Sequence, residues 1–257
     1  MKSERIPVKS FSADNGFIGK MQKLVREEVL PYQYNILNDA IPGIEKSHAI
    51  ENIRLAAEKL RGKDVKPDEF YGMVFQDSDV AKWIEAAAYA LAAGEDPELE
   101  KAVDETIQLY GASQHEDGYV DSYFTVKCPD KMWTNICDAH ELYCAGHMME
   151  AAVAYYEVTG KRELLDIMSK SADCIYEQFM KKNTRAYPGH PEVELALMRL
   201  WRATGNEKYK ELAKHFVDVR GQAPNYFVEE KKNRGWNVWD GTEELNTDYT
   251  QSTLPVR

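Results

Sequence analysis

Residues 79–94, DVAKWIEAAAYALAAG, decide the fold. Val80, Trp83, Ile84, Ala87, Ala88 and Leu91 recur at i, i+3, i+4, i+7, i+8 and i+11, one wide apolar stripe on an α-helix. Asp77 or Ser78 is placed to cap its start through a side-chain oxygen. Gly94 suits its end, where a left-handed residue is often needed. The unit then repeats. Helices run out at LAAGEDPELEKAV (91–103), YEVTGKRELLDIM (156–168) and WRATGNEKYKELA (201–213), with Gly94, Gly160 and Gly205 at the breaks. Segments 17–38 and 48–61 form an earlier pair. Strand signals are weak: GYVDSYFTV (118–126) alternates briefly and reads as a short ribbon or an extended loop. These patterns predict an all-α array of roughly four αα-hairpins, a toroid or solenoid rather than a compact bundle.

The 257 residues are 44% hydrophobic and 29% charged, a globular balance long enough to bury a core. A formal net charge of -11 argues against nucleic-acid or anionic-membrane partners. MKSERIPVKSFSADNGF at the N-terminus has no apolar signal region, and no apolar run reaches membrane-spanning length. Cys128, Cys137, Cys144 and Cys174 are scattered and read as reduced thiols, so a cytoplasmic location is expected.

Two connections concentrate polar and aromatic residues. SQHEDGYVDSYFTVKCPDKMWTN (113–135) carries Tyr119, Tyr123 and Trp133, which either pack on the toroid rim or line a site. NTRAYPGHPE (183–192) places His190 just before a helix. Between them, CDAHELYCAGH (137–147) resembles a metal cluster. Read as part of one helix through residue 160, Cys137, His140, Cys144 and His147 share a face about 80° wide. Ten residues rise by ~15 Å, however, while zinc bonds are only ~2.0–2.3 Å long. Four ligands from one straight helix are excluded; a pair remains open, though no CxxC or HExxH pattern supports it. The thiols then read as small packing groups. The two histidines, with Glu141 and Tyr143 beside them, read as a pocket wall.

FQDSDVAKWIEAAAYAL, DGYVDSYFT, HELYCAGHMMEAAVAYYEVTGK, YPGHPEVELALMRLWRATGNEKY and YTQSTLPVR together resemble glycoside hydrolase family 127, the β-L-arabinofuranosidase-like group, from about residue 17 onward. The resemblance implies part of an (α/α)6 barrel over 17–257 behind an N-terminal extension, 1–16. It implies a sugar pocket at one end of the barrel. Family members resemble retaining hydrolases with a cysteine nucleophile and a glutamate near a zinc held by cysteines and glutamate. Those groups belong to the second half of such barrels. None of the four cysteines here sits in the matching motif, so no catalytic residue and no metal ligand is assigned. Zinc is expected only in a complete member. Thr253 stands where the family pattern resembles histidine.

The sugar-binding side does carry over. His140 and His190 match pocket histidines, and Gln33 of LPYQ matches a polar contact; His147, Asp77, Asp79 and Trp133 are further substrate-binding candidates. Asp77 reads equally as a helix cap, and Asp79 as a first-turn acid favoured by the helix dipole. Glu85 and Glu141 form no evident acid–base pair. The expectation is the N-terminal portion of a hydrolase of β-L-arabinofuranosides or related plant-type glycans, inactive alone. The alternative is a non-catalytic carbohydrate-binding half-toroid whose open edge is covered by a second-half chain or by its own oligomer. A third reading is an unrelated α-toroid enzyme using Asp117 and Asp121.

Overall fold

The computed structural model describes residues 6–11, 13, 16–182 and 184–238, and among these every regular element is helical. The helices are α1 (Gly16–Leu24), α2 (Leu30–Leu37), α3 (Ala49–Leu60), α4 (Asp77–Ala93), α5 (Pro97–Ala112), α6 (Ser122–Lys127), α7 (Glu141–Thr159), α8 (Glu163–Tyr176), α9 (Val193–Thr204), α10 (Glu207–Val219) and α11 (Tyr226–Asn233). A π-helical turn, Val25–Val29, fuses α1 and α2 into one run. A short 3-10 turn at Val8–Ser10 packs on α4.

Two layers follow from the contacts. α2, α4, α7 and α9 lie side by side in sequence order, and α3, α5, α8 and α10 back them. The expected hairpins α4–α5, α7–α8 and α9–α10 are all present. The early pair splits between the layers, α2 against α4 and α3 against α5 and α6. The arrangement is that of part of an (α/α)6 barrel.

α7 is the centre of the core. Leu142, Ala145, Met148, Met149, Ala152 and Tyr155 are all buried, between α4, α9 and α8. A helix apolar on nearly every side is one enclosed by others. Each large side chain fully buried there stabilises by about 1.5–3 kcal/mol. α4 presents Val80, Ile84, Ala87 and Ala88 to it, and its Trp83 ring stacks on Tyr34 of α2 at 4.7 Å while donating to the Leu30 carbonyl at 3.1 Å.

Local signals hold at some helix ends and yield to distant partners at others. Gly160 and Gly205 end α7 and α9 with φ of 77° and 74°, as a left-handed terminus requires. Gly94 is extended instead (φ 171°, ψ 154°), because the chain turns at once into Asp96, whose side chain caps α5 at the Leu99 amide. Residues 122–127 form α6 rather than a ribbon. Asp121 caps it by accepting from the Phe124 amide, and a buried apolar set of Tyr123, Phe124 and Val126 holds it against α3. Asp77 is no cap for α4, whose capping position is Gln76 with no side-chain bond. Its buried carboxyl instead accepts from the amide of Ser122 at 2.8 Å and from the Ser122 hydroxyl, joining α4 to α6.

Gly146 marks where α7 touches the start of α9. A Cβ there would lie 2.9 Å from Glu192 Cγ and 3.0 Å from the Val193 backbone. Alanine is favoured over glycine in a helix interior by about 1 kcal/mol. Gly146→Ala is nevertheless expected to destabilise the protein, by about 1–3 kcal/mol, because the backbone of α9 must retreat. Urea unfolding checks the sign; a midpoint raised by the substitution contradicts this packing.

Candidate functional site

The site begins with a backbone irregularity. α7 starts at Glu141, so Cys137 and His140 precede it, and the four potential ligands of 137–147 do not share one helix face. The reason lies in two places. His140 has a left-handed backbone (φ 61°), which interrupts the helical ladder, and the amides of Ile136 and Cys137 are taken by the Glu230 carboxylate. A non-glycine residue held there costs of order 1–3 kcal/mol, a strain that clusters at functional sites. The His140 ring is oriented by its own loop: Nδ1 lies 2.5 Å from the Asp138 carbonyl. A carbonyl only accepts, so Nδ1 carries the proton and Nε2 presents a lone pair.

His190 meets it from the loop before α9. The two imidazoles are 5.3 Å apart, and Tyr143, one turn along from His140, lies 5.0 Å from His190 and 4.5 Å from His147. Phe75 closes the group 5.3 Å from His140. All are half-buried. Lys82 of α4 reaches across to donate to the Tyr143 hydroxyl at 3.0 Å and to Ser78 Oγ at 3.1 Å.

The imidazoles are kept neutral. Burial lowers the pKa of each, and Lys82 lowers all three further; His147 falls to about 4. Its Nδ1 stands 3.6 Å from Glu192, a carboxyl raised to about 7 by burial and by the nearby charges of Glu150 and Glu85. Between those values both groups are neutral, so this contact is no ion pair, and it is too long for a hydrogen bond.

Deeper along the same helices the polar stripe continues as Glu85, Tyr89, Glu150 and Arg199. Arg199 donates to Glu85 at 3.1 Å and also to Glu150, and reaches Tyr89 at 3.2 Å. The stripe uses the helical spacing 78, 82, 85, 89 on α4 and 143, 147, 150 on α7. Its outer end therefore sets neutral imidazoles around the Lys82 charge, and its inner end is charged but paired.

Of the residues singled out from sequence, His140, His147 and His190 come together. Gln33 lies exposed on α2, and Asp79 lies exposed in the first turn of α4. Neither belongs to the ring contacts that join the histidines. Asp77 is spent on Ser122, as described above. Trp133 points elsewhere: its ring meets Tyr119 and Phe179 edgewise, beside Cys174 and Lys170. Tyr119 and Tyr123 are buried, so the rim aromatics pack. Glu141 turns away from the imidazoles. It accepts from Tyr119 at 2.7 Å and from the Trp133 amide, and burial raises it to about 8. Asp117 accepts from the Tyr119 amide, and Asp121 caps α6 at the Phe124 amide. Thr253 lies outside the described residues. Lys82, Phe75 and Glu192 were missed; the two polar ones sit at helix-stripe and post-histidine positions that a polar-face reading would have flagged.

The thiols are not poised for chemistry. Burial pushes Cys128 up to about 11 and Cys174 to about 12, and drives Cys137 and Cys144 up as well. Among the described residues no three His, Cys, Asp or Glu side chains converge on a point that suits a metal.

The chain matches the family model "Beta-L-arabinofuranosidase, GH127 catalytic domain" over residues 12–257. It is 39% identical to the non-reducing end β-L-arabinofuranosidase of Bifidobacterium longum subsp. longum, across 90% of this chain and 37% of that relative. A GH127 β-L-arabinofuranosidase crystal structure from Geobacillus stearothermophilus T6 superposes with a TM-score of 0.81 at 53% identity, over 87% of this chain and 34% of the other. A further GH127 β-arabinofuranosidase gives 0.74 at 32% identity, over 84% and 34%. The chain thus spans little more than a third of the length of each.

By NMR titration, His147 is expected to titrate near pH 4, and His140 and His190 below 6.5. Lys82→Met should raise all three. The unfolded chain takes up these protons first, so the histidines make stability fall as pH drops from about 6.5 through the folded values. An ordinary pKa at all three positions refutes the neutral wall.

Proposed function

The chain belongs to glycoside hydrolase family 127, and from that premise we propose that it supplies the sugar-contacting wall of a pocket for β-L-arabinofuranosides or related plant-type glycans. The observation that carries this reading is the convergence of His140, Tyr143, His147 and His190 at one end of the inner helices. A furanoside is neutral and rich in hydroxyls. Neutral imidazoles accept from and donate to hydroxyls without stranding a charge, and ring faces cover the apolar side of a sugar. His140 Nε2 is set as an acceptor; His190 stands across from it.

The nucleophile and the metal are no part of this wall. A thiol raised in pKa is the opposite of an activated one. A zinc ion, where the complete catalytic domain holds one, would take its ligands from residues outside those described. The division into an extension, 1–16, and a partial barrel, 17–257, and a cytoplasmic location for four unbridged thiols belong to the same proposal. No described helix is long and apolar enough to cross a membrane.

The proposal also assigns the open side of the arc. Ile18, Met21 and Val25 form a groove with Ala86, Ala90 and Ala93, and Phe17 beside it is 76% exposed. An apolar face of this kind calls for a cover. The remaining barrel segment of a family member, on the same or a second chain, is the occupant assigned to it.

Methyl β-L-arabinofuranoside, titrated by NMR, should shift the His140 and His190 signals. His140→Ala and His190→Ala should each weaken binding by roughly tenfold, the loss of about one hydrogen bond in a half-buried site. Undiminished binding by both variants overturns the reading. Incubation with an aryl β-L-arabinofuranoside and zinc should give no turnover; zinc-dependent hydrolysis by this chain would show that its own residues complete the catalytic centre.

A further inference from the structure

We infer that α11 is the positioning element for both sugar-facing histidines, with Glu230 and Arg234 holding His140 and the Tyr226–Phe227 pair holding His190. This rests on the reading that those histidines face the ligand. α11 belongs to none of the hairpins, and at Tyr226–Asn233 it is too short to persist without tertiary contacts. What it contacts is specific.

Glu230 accepts from the Ile136 amide at 2.7 Å, the Cys137 amide at 3.1 Å and the Tyr226 hydroxyl at 3.0 Å. Arg234 Nη1 donates to Asn135 Oδ1 at 2.6 Å and to Asp138 Oδ2 at 2.8 Å. Asn135 in turn accepts from the Asp138 amide at 3.0 Å. Four consecutive residues, 135 to 138, are thus fixed from one helix and its C-terminal neighbour. The next link is the Asp138 carbonyl, which receives His140 Nδ1 and sets its tautomer. Glu230, Arg234 and Asp138 are 4–5% exposed at their side chains, so each charge depends on its partners.

The second loop is held from the same helix. The Tyr187 ring lies 4.5 Å from Phe227 and 5.8 Å from Tyr226, three residues before His190. Arg220 steadies the next carbonyl, Pro188, at 2.9 Å. The loops also press on each other: the Gly189 amide donates to the Ile136 carbonyl at 3.3 Å, and a Cβ on Gly189 would fall 1.9 Å from the Cys137 oxygen. Among the described residues no such link reaches His147. It rises from the body of α7, which gives the inference an internal control.

The test uses the full chain and the ring 15N signals of its histidines. Glu230→Gln and Arg234→Met should move His140 toward a mixed tautomer and shift its pKa toward 6.5, while His147 stays in place. Phe227→Leu should move His190 instead. Leu212→Ala, a core change in α10, controls for general destabilisation and should leave both rings unmoved. Binding of methyl β-L-arabinofuranoside should weaken at least about tenfold in Glu230→Gln, and Glu230→Asp should restore part of it. Should Glu230→Gln not fold, Arg234→Met and Phe227→Leu decide the matter. Folded variants whose His140 and His190 signals match the wild type overturn the inference. If the rings respond but the wild type does not bind the furanoside, the sugar-site reading falls and the brace stands.

Discussion

Everything in this protein depends on how closely α7 approaches its neighbours. Ala145, Gly146, Ala151, Ala152 and Ala154 on α7 face a helix set rich in Ala81, Ala87, Ala88 and Ala196, so backbones come near and large side chains are confined to the gaps. Dispersion and apolar burial gain with every contact at this spacing. Close packing also has a geometric effect. Three inner helices in contact put their polar edges on one strip, and one end of that strip is where the histidines stand.

The strip is a compromise between solvation and use. Burial alone would neutralise its titratable groups, and at the outer end it does so, helped by the Lys82 charge. At the inner end Arg199 stays ionised beside Glu85 and Glu150; burial opposes its charge, but Glu150 and Tyr89 push its pKa up. Neutral imidazoles around the Lys82 charge at one end, and paired ions at the other, fit the uncharged polar ligand proposed for the site.

Much of the fold was legible because helix period and glycine punctuation are local. The stripe from Val80 to Leu91 and the breaks at Gly160 and Gly205 needed no tertiary information. The misreadings share one cause, a distant partner that outbid the local preference. Asp77 would cap α4 by local rules, yet Ser122, 45 residues away, captures it. Residues 136–140 would join α7, yet Glu230, more than 90 residues away, takes the amides of Ile136 and Cys137. Residues 118–126 alternate like a strand, yet Asp121 caps a helix there once Phe124 is buried. The site was half legible for the same reason. His140, His147 and His190 are visible as types, but which of them converge depends on the α7–α9 approach, and the choice for Trp133 between packing and lining a site stays open in the sequence because a loop's direction is not written in its composition.

Gly189 has a broader meaning. With its backbone flat against Cys137, the loop bearing His190 cannot slide or lift without carrying the loop bearing His140. The two imidazoles therefore form one edge rather than two independent fingers. At 5.3 Å between centroids the rings already touch, so the pair presents a single continuous surface of fixed outline.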